Sequence, residues 1–354
     1  MTINPDFSQG DQFLKEIKEI KNSLIESGLF IPKSMKEWMK EAENEKIPNK
    51  LFGVFWFETE VNILFADTNL GKSTLAFQIA DSISRGTSTM EMSNEAPAQK
   101  VLYFDFELSK KHIQGRYSNN YLDPYMWDDN FLRVERNPDA KKPDNISNEE
   151  YLNEMFEQEI INSGAKIIFV DNITALLNET EKAKDAIPLM SYLRGLKNKH
   201  NLSILIIAHT PKRDLSRPIS ENDMGGSKQL MNLADNAFVI GRSARDQDER
   251  YLKQIKPKLT ECIYGPDNVL TCHIVKHSNF LCFEPLGFDR ESDHLRQRSD
   301  KDKIELDQTI YSLKDAGESL REIGLKVGLS QTSVANHLKR RDKNKNDDSQ
   351  EPAF

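Results

Sequence analysis

No run of apolar residues in this 354-residue chain approaches the length that crosses a bilayer. Runs such as residues 204–208 and 167–170 reach at most about a quarter of the ~20 residues a membrane-spanning helix needs, which excludes a transmembrane protein. The first ten residues are polar and hold no apolar signal core, which argues against secretion. Cysteine is scarce. Cys262, Cys272 and Cys282 are too few for a disulfide framework, and no C-x-x-C or mixed His/Cys cluster suggests zinc. A reducing, cytoplasmic setting is the default. Positive charge is not in excess either: 48 Lys and Arg stand against 56 Asp and Glu, for a net charge of −8. That balance argues against a protein that coats nucleic acid non-specifically. Internal repeats and long low-complexity tracts are absent.

What is present is a polar chain, 38% apolar and 29% charged, long enough for about two domains. Its charge is uneven. Lys339, Arg340, Arg341, Lys343 and Lys345 cluster just before an acidic end at Asp347, Asp348 and Glu351. Residues 1–50 read as a helical preamble. Phe13, Ile17, Ile20 and Leu24 recur at helical spacing, and a second short helix is expected at 35–42. This segment packs either on its own core or on a neighbouring subunit. From residue 61 the pattern changes. Short apolar runs at 61–65, 101–106, 166–170 and 203–208 lack polar alternation, as parallel strands covered on both faces do. Helical patterns at 72–84, 151–162 and 187–199 lie between them, so the spacing predicts a doubly wound α/β sheet. Later strands are expected at 236–241, 250–255 and 269–276, the last two antiparallel. Residues 136–148 read as a surface loop, 289–303 as a charged linker, 304–341 as a small helical unit and 342–354 as a disordered tail.

The sharpest motif is Ala66-Asp67-Thr68-Asn69-Leu70-Gly71-Lys72-Ser73-Thr74, which fits [AG]-x4-G-K-[ST]. It follows an apolar strand and opens a helix, the context in which successive backbone N–H groups cradle a phosphate at a helix N-terminus. Gly71 permits close backbone approach, Lys72 supplies charge to the β- and γ-phosphates, and Ser73 offers a hydroxyl to Mg²⁺. Ala66 stands where such loops usually carry glycine. ATP and Mg²⁺ are therefore the expected cofactors.

Two further strand ends carry carboxylates. Residues 167–170 lead into Asp171, a metal-holding acid beside Ser73. Asn172 follows it, so the water-orienting base must come from elsewhere. Glu107, at the end of the 101–106 strand, stands where open α/β sheets place ligands and is the candidate base. The 203–208 strand ends in His209-Thr210, where a polar group can sense the γ-phosphate.

The order of these motifs resembles the RecA-like ATPase superfamily: a P-loop, a strand ending D-x-E, a strand ending Asp-Asn-Ile-Thr-Ala-Leu, a strand ending Ala-His-Thr, then Gly225-Gly226-Ser227 and Asn232-Leu233-Ala234-Asp235. Within it the likeness is to RepA-type hexameric helicases and RadA- and DnaB-like ATPases, and more narrowly to such ATPases carried on bacterial mobile elements. It covers residues 51–288. The resemblance implies a RecA-like P-loop NTPase core, α/β with a mostly parallel sheet, in a homo-oligomer such as a hexamer. It makes Glu107 the catalytic glutamate, Asp171 the Walker B acid and His209 the γ-phosphate sensor. It also implies a loop at 211–224 facing a central pore, where Lys212, Arg213 and Arg217 hold single-stranded DNA backbone. The family's basic finger, reaching the neighbour's γ-phosphate, corresponds to Lys256 and Lys258. Pro257 inside that element departs from the pattern, and Lys253 is a competing candidate.

The C-terminal unit shows a stripe through Leu306, Ile310 and Leu313, then a capping box at Ser319-Leu320-Arg321-Glu322 with Ile323 and Val327 inward. Gly328-Leu329-Ser330 makes a turn before a third helix at 331–340, with Val334 and Leu338 buried. This resembles the helix-turn-helix of resolvase-type or sigma-factor-like modules. The resemblance implies duplex DNA as partner. Gln331, Thr332, Ser333, Asn336 and His337 would meet base edges, and Lys339, Arg340 and Arg341 would meet phosphate. Three functions remain open: a ring-forming DNA motor, an ATP-dependent DNA-binding regulator, and, more weakly, a metabolic P-loop kinase.

Overall fold

The structure is a computed structural model that describes residues 30–176, 186–210, 213–224, 228–297 and 300–348. The stripe Phe13, Ile17, Ile20 and Leu24 lies outside the described residues. The chain divides into two units between Ile47 and Pro48. In the first, the expected short helix spans Met35–Ala42 and starts at a Ser34–Glu37 capping box. Its Met35, Trp38 and Met39 side chains are exposed.

The second unit begins with a small two-stranded sheet, β1 (Lys50–Phe52) and β2 (Trp56–Phe57). A nine-stranded sheet follows. It contains β3 (Val61–Ala66), β4 (Val101–Asp105), β5 (Phe131–Val134), β6 (Ile167–Asp171), β7 (Ser203–His209), β8 (Asn236–Arg242), β9 (Glu249–Lys256), β10 (Val269–His277) and β11 (Phe280–Asp289). The spatial order is β11-β10-β9-β8-β3-β7-β6-β4-β5. The run from β8 to β5 is parallel, and β8, β9, β10 and β11 pair antiparallel. This is the mostly parallel α/β sheet that the apolar runs predict. Two apolar cores, one on each face, explain why its central strands show no alternation. One face packs the helix Lys72–Arg85 with the aromatics of residues 51–57. The other packs the helices Asn148–Ser163 and Ala186–His200.

Three expectations change. The segment 289–303 is not a solvated linker. Asp289 pairs with Val269 in the sheet, Glu291 and His294 are each 1% exposed, and a helix starts at Asp300. Burial is possible because Glu291 is fully partnered: Lys253 pairs with it, and Ile219 N and Tyr251 Oη donate to it. Strands β5 and β11 had no clear sequence signal. β5 is four half-buried residues, and β11 is broken in pattern by Pro285 and Gly287. Finally, the third C-terminal helix runs Gln331–Asp348, well into the segment read as a disordered tail.

The other two C-terminal helices, Asp300–Asp315 and Leu320–Val327, pack with it around Ile310, Ile323 and Val334, with Leu306, Leu313, Val327 and Leu338 at the margin. The capping box at Ser319–Glu322 is formed, Ser330 Oγ caps the third helix at Ser333 N, and Gly328 makes the turn with φ +66°. Among the described residues no helix is long and apolar enough to cross a membrane.

Glu60, below the start of β3, shows what burial does to a carboxyl in this core. Desolvation raises its pKa from 4.5 to about 7, against hydrogen bonds from Asn236 and Phe57 N that favour the anion. A raised folded-state value gives stability that is present below 4.5 and lost as pH climbs to about 7. Glu60→Gln keeps an acceptor and removes the charge. Thermal unfolding should show the variant more stable than wild type at about pH 8 and equal to it at about pH 4.

Candidate active site

The P-loop leaves β3 at Ala66, which is still strand and pairs with His209 and Ile240. An extended backbone accepts alanine, so glycine is not needed there. Further on, Asn69 (φ 62°) and Gly71 (φ 91°) take left-handed conformations, the alternation that turns backbone N–H groups toward an anion. A Cβ on Gly71 would lie 2.7 Å from Ile274 and 2.9 Å from Phe283, so glycine is required by space as well as by φ. Gly71 also serves as helix N-cap without a side-chain hydrogen bond. Leu70 and Thr74 are buried, anchoring the loop, while Thr68 and Asn69 are exposed.

Lys72 Nζ donates to Ala66 O and Asp67 O at 3.0 Å each. Burial lowers its pKa, while Glu107, Asp171 and Asp67 push it back up. At the end of β6, two strands from β3, Asp171 accepts from Tyr103 Oη at 2.8 Å and from the Ser73 side chain. Burial raises its pKa from 3.8 to about 6, with Glu107 and Asp105 adding to the rise. Its Oδ1 is buried without a hydrogen-bond partner. A buried carboxylate oxygen left free beside the P-loop serine suits a hard divalent cation with oxygen ligands. Ser73 and Asp171 would hold Mg²⁺, with Lys72 and the loop N–H groups on the phosphates.

Glu107 Oε2 lies 3.9 Å from His209 Nε2, and Asn172 Nδ2 lies 3.2 Å from the same nitrogen. Burial and Lys72 lower the His209 pKa while Glu107 raises it, leaving a neutral ring near pH 7. Lys72, Glu107, Asp171 and His209 thus converge at the C-terminal end of the parallel strands, where the sequence argument puts them. Tyr103 and Asn172 are additions the sequence did not flag, since a Tyr inside an apolar strand reads as core.

Several expected DNA-contact residues sit differently. Arg213 is 5% exposed; its Nε is 3.3 Å from Asp67 Oδ2, and it hydrogen-bonds Tyr251. The P-loop acid draws it inward, so it is not a free cation on a pore loop. Thr210 Oγ1 donates to the same Asp67. Arg217 is partly exposed beside Asp214 and lies against Gly328 of the C-terminal turn. Lys212 lies outside the described residues. Lys253 is buried on Glu291, which removes it as a finger candidate.

Lys256 Nζ caps the carbonyls of Met231, Asn232 and Ala234, and Lys258 Nζ is 2.6 Å from Asp235. Asp235 in turn accepts from Val61 N at the start of β3, about 17 Å of strand from the P-loop end. On the third C-terminal helix, Gln331, Thr332, Asn336 and Lys339 are exposed and Ser333 is half-buried. His337 faces inward, with Nδ1 2.5 Å from Asp307 of the first helix, so that pairing takes it off the base-reading set. The side chains of Arg340 and Arg341 lie outside the described residues.

A phosphate-loop sequence between a central strand and a helix, with a buried carboxylate and an exposed one at nearby strand ends, is the arrangement of a P-loop nucleotide-binding protein. Residues 35–214, just over half of the chain, match the family described as AAA domain, and the chain belongs to that family. The fold is similar to that of the KaiC-like protein PH0186 from the hyperthermophilic archaeon Pyrococcus horikoshii OT3, at 13% identity and a TM-score of 0.45, over 65% of this chain and 91% of that one. No curated protein matches the chain.

Because protons and magnesium compete for Asp171, magnesium-dependent nucleotide affinity should fall as pH drops through about 6. Calorimetric titration of ATP with and without Mg²⁺ at several pH values checks this. In Asp171→Asn the magnesium-dependent part should vanish at every pH.

Proposed function

We propose that this chain hydrolyses ATP and uses it to act on DNA, as a helicase- or loader-like motor in the replication or mobilisation of a mobile element. The observation that carries the reading is the convergence of Lys72, Asp171 and Glu107 at one sheet edge in a chain that also bears three helices spaced as a helix-turn-helix. Lys72 binds and orients the terminal phosphates and offsets their charge. Mg²⁺, when bound, supplies Lewis-acid stabilisation of charge on the transferring phosphoryl group. Glu107, two-fifths exposed and, among the described residues, not held by another side chain at hydrogen-bond distance, orients an attacking water and draws off its proton. Neutral His209 sits between Glu107 and Asn172 at the end of β7, placed to register the γ-phosphate.

The resemblance of the motif order to RecA-like ATPases further implies a homo-oligomer, a ring such as a hexamer. Lys256 and Lys258 are remote from their own P-loop, so a finger role for them is a role at a neighbour's phosphates, and it requires release from Asp235 and the capped carbonyls. Exposed Gln331, Thr332, Asn336 and Lys339 are the residues proposed to meet duplex DNA, and Arg217 to meet a strand in the ring.

A second reading is favoured by one specific set of contacts. Asp67 of the P-loop holds Arg213, and Arg217, four residues on, lies against Gly328 of the helix-turn-helix. Such a link suits an ATP-dependent DNA-binding regulator in which nucleotide state alters the DNA-binding module without unwinding.

Lys72→Ala should abolish ATP binding, and Glu107→Gln should keep binding while lowering kcat about 10²–10⁴-fold. Unchanged hydrolysis in Lys72→Ala would end the assignment. Motor activity predicts hydrolysis stimulated by single-stranded DNA, steep dependence on protein concentration, and strand displacement. The regulator predicts duplex binding that shifts with ATP and no displacement.

A further inference from the structure

Glu107 is fixed at its backbone from two sides. Phe106 N donates to Asp171 O at 2.8 Å, tying the turn to β6. The Asp105 carboxylate holds the other side, its Oδ1 accepting from Glu107 N at 3.0 Å and Leu108 N at 2.9 Å. Asp105 has a fully buried side chain, and a buried anion needs a partner. That partner is Arg133 on β5, a strand without a clear sequence signal. Arg133 Nε donates to Asp105 Oδ2 at 2.8 Å and Nη2 to Leu108 O at 2.7 Å, while Nη1 reaches Glu135 at 2.9 Å. One planar guanidinium therefore clamps both ends of the turn that carries Glu107, and Arg133 itself touches none of Lys72, Asp171 or His209 through a hydrogen bond.

We infer that Arg133 is a positioning residue for ATP hydrolysis: through Asp105 and the Leu108 carbonyl it sets where the Glu107 carboxylate stands at the phosphate end of the sheet. The inference rests on the reading of Glu107 as the water-orienting base. It follows from the fork of donors: Nε and Nη2 engage Asp105 Oδ2 and Leu108 O in one rigid plane, a geometry that the point charge of a lysine ammonium on its flexible stem does not reproduce. An ångström of drift in a general base costs a large factor in turnover, whereas the P-loop, Ser73 and Asp171 hold nucleotide independently of β5. Losing Arg133 should therefore act on kcat and spare nucleotide affinity.

The test is steady-state ATPase kinetics with nucleotide Kd by calorimetry, on Arg133→Met, Arg133→Lys, Arg133→Met with Asp105→Asn, and Glu107→Gln. Arg133→Met should lower kcat at least about tenfold with KM and Kd within about twofold of wild type. Arg133→Lys should recover only part. Adding Asp105→Asn to Arg133→Met should restore most of the loss, since the amide oxygen still accepts from Glu107 N and Leu108 N and no buried anion is left unpaired. A merely structural role would lower thermal stability in step with activity and show no such recovery. Wild-type kcat in Arg133→Met, or equal losses in kcat and Kd, overturns the positioning role. If Arg133→Met does not fold, a wild-type kcat in Arg133→Lys does the same. Wild-type hydrolysis in Glu107→Gln removes the underlying reading of Glu107. An inactive Glu107→Gln beside a fully active Arg133→Met removes the inference about Arg133 alone.

Discussion

One ammonium among three carboxylates sets the character of this site. Lys72 is drawn by Glu107, Asp171 and Asp67, while burial works against its charge. Arg213 answers Asp67, which leaves two anions to the one ammonium, and the more buried of them, Asp171, is pushed up to about 6 because its charge is both desolvated and repelled. An arrangement short of positive charge, with a carboxylate oxygen aimed at no donor, favours a hard divalent cation and a phosphate chain brought in together. The rest of the sheet edge supports that imbalance. Tyr103 holds one Asp171 oxygen, and the Ser73 side chain hydrogen-bonds the same carboxyl.

The sheet order makes these groups neighbours. β7 stands between β3 and β6, so His209 is flanked by the P-loop on one side and Asp171 on the other, and β4 delivers Glu107 one strand further. The antiparallel extension adds mechanical support from the opposite side. Ile274 and Phe283 fill the space over Gly71. Gln78 of the P-loop helix bonds the Phe283 backbone through both donor and acceptor, fastening that helix to β11. The P-loop is thus wedged between two parts of the same sheet rather than hanging from its strand alone.

Much of this was legible in the sequence because burial on both faces writes itself as uninterrupted apolar runs. Strands β3, β4, β6, β7 and β8, the helices between them, and the phosphate loop with its two acids all had signals of that kind. The helical caps at Ser319 and Ser330 were equally plain, since capping depends on residues three apart. What escaped depends on partners far along the chain. Arg213 reads as a solvated loop cation until Asp67, 146 positions earlier, is seen beside it. Glu291 and His294 read as linker because nothing local reveals Lys253 or Ser243. His337 reads as exposed until Asp307 of another helix is brought against it. Edge strand β5 is short and half-buried, so its residues carry no periodic signature.

The pairing of Asp67 with Arg213 constrains how this chain can diverge. A half-buried acid in the second position of the phosphate loop is tolerable only while a guanidinium from beyond β7 answers it. Loss of either partner alone strands a charge beside the most sensitive loop in the molecule, whereas loss of both strands none. Relatives should therefore carry the two residues or lack the two, since the pair ties the loop to the segment after β7.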